Sequence, residues 1–226
     1  VFWHLADGSE WLTTDNDGQP TEIGISAEMT DTIVRDVRIP ANATLVVGQD
    51  ATLTVRGDFT NAGALRAEAG DADHAAGEIA FADASLDSTV SGVNAFQLLT
   101  CTTPGKTIRF ATGADDVFGI AAGGSLTLTG EEGSMINLYP ENPGETWKIR
   151  VPSTATRSLT YLAVSNSNAN AGDTISVQKA EVEDCGGNEN WLFLSPIEAG
   201  DPMVWRTDAA NDNWFDSANW RDKNGK

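Results

Sequence analysis

Apolar residues along this chain fall into short runs that alternate with polar ones at a period of two. In the first half they read Val37-Arg38-Ile39, Leu45-Val46-Val47, Leu53-Thr54-Val55, Leu65-Arg66-Ala67 and Ile79-Ala80-Phe81. Later ones are Ile108-Arg109-Phe110, Leu126-Thr127-Leu128, Ile136-Asn137-Leu138, Trp147-Lys148-Ile149, Leu159-Thr160-Tyr161 and Ile175-Ser176-Val177. On an extended backbone successive side chains point to opposite faces, so each run predicts a strand with one buried face. Gly, Asn, Asp or Pro bounds every run, as turns require. Apolar residues do not keep helical spacing over any window longer than about ten residues, so helix is not expected and the fold class is all-β.

Short strands recurring at about 8 to 12 residues suit either a β-sandwich of hairpins or a solenoid of stacked coils. Hairpins favour two-residue Asn-Gly or Asp-Gly loops. Here the connections are longer, as in Gly48-Gln49-Asp50, Gly57-Asp58 and Asn61-Ala62-Gly63. That favours a single-stranded parallel β-helix, in which each coil buries its aliphatic residues against the coils above and below and keeps Thr, Asn and Asp outside. The β-sandwich is the alternative.

Charge narrows the partners. The 226 residues carry 14 Lys and Arg against 33 Asp and Glu, a net charge of -19. Such a field repels phosphate backbones and anionic headgroups, so neither nucleic acid nor membrane insertion is expected. Calcium is the one cofactor this composition favours. Residues 1–10 lack the basic and apolar regions of a signal peptide, and no run reaches the 18 apolar residues of a membrane span, so any signal or anchor is expected outside this stretch. Cys101 and Cys185 are the only cysteines. They fit either one disulfide in an oxidising compartment or two separately placed thiols.

Residues 41–63, reading ANATLVVGQDATLTVRGDFTNAG, resemble the rungs of bacterial autotransporter-type and other large surface β-helix proteins. Similar segments follow at Gly123-Gly124-Ser125-Leu126-Thr127-Leu128-Thr129-Gly130, Ile136-Asn137-Leu138 and Gly144-Glu145-Thr146-Trp147. They continue at residues 161–167, 172–175 and 184–193, so that the likeness spans about 37–193. The resemblance implies a right-handed parallel β-helix, secreted or displayed at a bacterial cell surface, serving as a stalk, adhesin or structural array. It brings no catalytic residue with it. Residues 1–36 then read as an N-terminal cap or the end of a preceding unit, 37–200 as the β-helix, and 201–226 as a Trp-rich segment that resembles the opening of a further unit. The expected partners are neighbouring repeats of the same longer chain, together with surface glycans.

Three kinds of site are worth weighing. Asp15 and Asp17, before Gly18, offer closely spaced oxygens for calcium, but an EF-hand loop would need a third ligand before its glycine and a glutamate where Ser26 stands. Asp71 with Asp73, Asp115 with Asp116, and the group from Asp208 to Asp216 are further acidic clusters, and such residues in turns are usually only solvated. Trp205, Trp214 and Trp220, set among Asp and Asn, suit sugar stacking and make a carbohydrate-binding module the alternative function, although service as a cap or small core is the stronger reading of the same rings. A polysaccharide lyase or glycoside hydrolase is the second alternative; it needs convergent carboxylates, and Asp115-Asp116 near Arg109 is the only local pair that resembles them. Gly-x-Ser-x-Gly and phosphate-cradling motifs are absent, and the histidines are only His4 and His74. A non-catalytic structural or adhesive surface module of a larger secreted protein is the expectation.

Overall fold

The alternating runs become strands with every second side chain buried, as in Leu53-Thr54-Val55, where Leu53 and Val55 are inaccessible and Thr54 is not. The computed structural model of the chain describes residues 10–12, 22–29, 32–195, 203–205 and 220–222, and these are all-β with long parallel sheets and no helix. In chain order, β1 (Glu10–Leu12) precedes β2 (Glu22–Ile25), β3 (Ile33–Val34) and β4 (Asp36–Ile39). Next come β5 (Thr44–Val47), β6 (Thr52–Val55) and β7 (Phe59–Asn61), then β8 (Ala64–Ala67), β9 (Glu78–Phe81) and the long β10 (Ser88–Cys101). The series continues with β11 (Thr107–Phe110), β12 (Val117–Thr129), β13 (Ile136–Pro140), β14 (Trp147–Arg150), β15 (Thr156–Thr160) and β16 (Leu162–Val164). β17 (Ser167–Asn168), β18 (Ile175–Gln178), β19 (Val182–Asp184) and β20 (Trp191–Leu194) complete it, and β21 (Val204–Trp205) pairs separately with β22 (Trp220–Arg221).

Pairing joins strands some twenty to thirty residues apart. The first ladder runs β1-β4-β7-β10-β11-β13-β16-β19, with Val37 opposite Phe59, Phe59 opposite Val90, and Val90 opposite Phe110. A second joins β2, β5 and β8, and the middle of β10 then pairs with β12, β12 with β14, and β14 with β17. The third joins β3, β6, β9, the end of β10, the end of β12 and β15, while β18 pairs with β20. All of these pairs are parallel. Antiparallel pairing among the described residues is confined to β21 with β22 and a bridge between Glu131 and Ser134. Because β2 and β3 join the same ladders as β5 and β6, parallel pairing begins before Val37.

Register stacks like on like. Leu53, Ile79, Leu99 and Leu126 follow one another on the third ladder and all four are 0% exposed. Between the ladders lies a run of rings, Phe59-Phe96-Phe118-Phe110-Trp147, with successive centroids 5.5, 5.4, 4.8 and 3.9 Å apart. Such pairs contribute about 0.5–1.5 kcal/mol each beyond the area they bury. Trp147 keeps its indole proton satisfied by donating Nε1 to Ser165 O at 2.8 Å. Asparagine differs from its expected outward place: Asn61 and Asn94 are buried at a corner, Asn61 Nδ2 donating to Asn94 Oδ1 at 3.1 Å and to Val93 O at 2.9 Å. Facing a bend, the two amides satisfy carbonyls that the ladder leaves open.

The disulfide alternative is corrected. Cys101 and Cys185 are free thiols, one fully buried in the core at the end of β10 and the other exposed after β19.

Candidate functional site

The expected sites divide by location. Asp15, Asp17, Trp214 and the group from Asp208 to Asp216 lie outside the described residues. Trp205 and Trp220 are backbone partners in the β21–β22 pair, and Trp220 is half-buried. Asp116 is spent on the backbone, its Oδ1 accepting from Gly92 N at 2.5 Å and its Oδ2 from Gly113 N at 2.9 Å, whereas Asp115 is exposed. The neighbours therefore do not form a carboxylate pair. Arg109 lies instead against Asp87, with Nε donating to Oδ2 at 3.1 Å. Asp71 organises its own loop, accepting from the amides of Asp73 and His74 at 2.9 and 3.0 Å and from Gln49 Nε2 at 3.2 Å. Those bonds, the Asp73 amide first, hold its carboxyl down at about 2. Among the described residues no three His, Cys, Asp or Glu side chains converge as a metal site would require.

The first ladder builds a groove that the sequence does not announce. Arg109 on β11 is the register partner of Tyr139 on β13. One position beyond the paired Leu138, Val164 and Asp184 stand Tyr139, Ser165 and Cys185, so these three succeed one another on the outward side. Pro143 and Asn166 form the adjoining wall, and the open volume is about 350 Å³. That wall is held by hydrogen bonds: Thr112 donates to Glu145, Asn142 Nδ2 donates to Glu145 Oε2 at 3.0 Å, and Glu145 N donates to Asn142 O at 3.1 Å. The donation from Thr112, then that from Asn142, holds the Glu145 carboxyl below its ordinary value. In the groove, burial pushes the Cys185 thiol up, Glu183 adds to the rise, and a hydrogen bond with Tyr139 opposes it. Tyr139 is likewise raised, by burial first and then by Cys185.

Lys106 is the functional-looking side chain that reading the sequence missed. It is 0% exposed, and its Nζ donates to Arg56 O at 2.7 Å, Leu86 O at 2.7 Å and Asp83 O at 3.2 Å. Burial pushes its ammonium below the ordinary lysine value, while Cys101 and Asp83 work the other way. A signal was present: the period of two that buries Ile108 and Phe110 also points Lys106 inward. Nearby, Asp83 accepts from Ser85 Oγ at 2.5 Å and from Arg56 Nε at 2.9 Å, bonds that with the Ser85 amide lower its carboxyl to about 2. The three carbonyls and this pair tie the bends at Arg56 and at residues 83–86 to the start of β11.

These features define the class: an all-β protein of long parallel sheets, with an open outward groove on one ladder and a buried cation at a corner. Compared with protein-family models, with curated proteins and with solved structures, the chain matches none.

Proposed function

We propose that the three ladders wind into a single right-handed parallel β-helix, and that the chain is a non-catalytic extracellular module of a larger bacterial surface protein. Its work is spatial: a stiff rod that carries neighbouring domains and displays loops at its corners. The single observation that carries this reading is the order of pairing, in which the chain visits the first, second and third ladders in rotation, each first-ladder strand joining the one before it in parallel. An aliphatic and aromatic centre with acidic turns outside agrees with it, since stacking gives stiffness and like charge keeps such rods apart. The engagement of Asp116 with two backbone amides supports a structural reading over a polysaccharide-cleaving one. Distance measurement between spin labels at Arg38→Cys on β4 and the native Cys185 just after β19 tests it: the two sites stand six strand spacings apart on the first ladder, so a separation of roughly 30 Å is expected. A separation below about 15 Å rejects the stacked rod.

A further inference from the structure

We propose that the groove over Tyr139 is a binding site for neutral hexose-based glycans, taking one or two sugar rings of a longer chain at a time. The inference goes beyond the rod reading and does not depend on it, because it stands on the local register of β11, β13 and the residues after β16 and β19.

Tyr139 supplies the platform. Its hydroxyl donates to Asn137 Oδ1 at 3.2 Å, and Asn137 lies two residues back on the same outward side of β13. The half-buried ring lines the groove together with Pro143 and Cys185. Aromatic faces of this kind pack against the apolar C–H faces of hexoses, while polar groups around the rim meet the hydroxyls. Those groups are in place on both sides. Arg109, on the preceding turn, is oriented by Asp87 through Nε, and among the described residues its two terminal nitrogens have no protein partner. Ser165 and Asn166, on the following turn, add a hydroxyl and an amide.

Two further observations select the ligand class. The Pro143 wall is fixed by the Thr112, Asn142 and Glu145 bonds, so a ligand would not have to order a loop on arrival. Asp87 engages Arg109, and Glu183 and Asp184 stand beside Cys185 closely enough to act on its thiol, in a chain of net charge -19, which disfavours sulfated, phosphorylated or uronic chains and leaves neutral sugars. A volume of about 350 Å³ is at the small end of ligand sites, which run from roughly 300 to 1,000 Å³, and suits one or two rings.

The test uses the whole chain on an array of neutral hexose and N-acetylhexosamine oligosaccharides beside sulfated and uronic ones, followed by calorimetric titration of the strongest neutral binder. Tyr139→Ala is expected to weaken binding by about tenfold and Tyr139→Phe by less than about threefold, because stacking survives loss of the hydroxyl. A second readout needs no variant: Cys185 lies in the groove and Cys101 is buried, so labelling of the native protein by a thiol reagent reports on the site. Saturating glycan is expected to slow that labelling severalfold. The proposal is overturned if no neutral glycan binds, if only acidic ones do, if Tyr139→Ala binds as well as the parent, or if bound glycan leaves Cys185 labelling unchanged. Should Tyr139→Ala fail to fold, Tyr139→Phe and Cys185 protection decide the matter. Binding that survives Tyr139→Ala but is lost in Trp220→Ala places the site on the C-terminal tryptophans and likewise overturns it.

Discussion

A lysine ammonium taken out of water needs each of its protons accepted, and Lys106 meets that demand with three backbone carbonyls from two earlier bends of the chain. Removing it leaves those acceptors buried without donors, at about 1–3 kcal/mol for each group that water cannot reach. Lys106→Met, which keeps the length and loses the charge, is expected to cost on the order of 3 kcal/mol and to lower the thermal midpoint by about 6–12 °C. A midpoint within about 2 °C of the parent would show that water refills the corner. Acid acts on different residues. Asp71 and Asp83 have carboxyls held at about 2 in the folded chain against 3.8 for an unperturbed aspartate. Because the folded values are the lower ones, these groups stabilise the fold fully above about pH 4, and that contribution disappears as the pH falls toward 2. Melting midpoints measured from pH 5 to 2 should therefore drop, and Asp83→Asn should drop less steeply; equal slopes would mean that the Arg56 and Ser85 bonds do not carry the effect.

Among the elements, β10 does most to set the shape, since its 14 residues pass from the first ladder through the second to the third. The bend is at Gly92, whose φ of 86° suits glycine, and where an added Cβ would meet Asn61 O at 1.8 Å. Gly92→Ala combines a left-handed backbone with a collision that no rotamer relieves, and should cost about 3 kcal/mol or more, lowering the thermal midpoint by about 6 °C or more. A stable Gly92→Ala with unchanged β signal would contradict the corner described for β10. This strand was also the least legible in the sequence. Inward positions at Ser88, Asn94 and Gln97 are polar, so the alternation that exposes β4, β6 and β11 to a reader is broken there, and Gly92 looks like a terminator. At the other end of the third ladder the aliphatic column of Leu53, Ile79, Leu99 and Leu126 gives way to Arg157, whose Nη1 donates to Thr174 O and Nη2 to Val151 O. Beyond it, β18 forms a separate pair with β20.

For the whole molecule the charge of -19 is a standing cost, since the acidic turns repel one another in the folded chain more than in the expanded one. Salt screens such repulsion over about 10 Å at 0.1 M. The thermal midpoint should therefore rise between 10 mM and 0.5 M sodium chloride, and a fall would show that surface ion pairs such as Arg109 with Asp87 outweigh the repulsion.

What the sequence determined alone is what depends on neighbours along the chain. Alternation marked the short strands, turn residues marked their ends, and the missing helical period excluded helix, because strand parity and turn preference are local properties of the backbone. The candidate sites fared differently. Asp115 and Asp116 are adjacent in sequence yet have separate surroundings, while Arg109, Tyr139, Ser165 and Cys185, far apart in sequence, line one groove. Lys106 could be placed inward by parity, but its three carbonyl partners could not be named. Only the tertiary structure decided these things, because register between parallel strands is set by how side chains twenty to thirty residues apart fit over one another, and no stretch of sequence contains both halves of that fit.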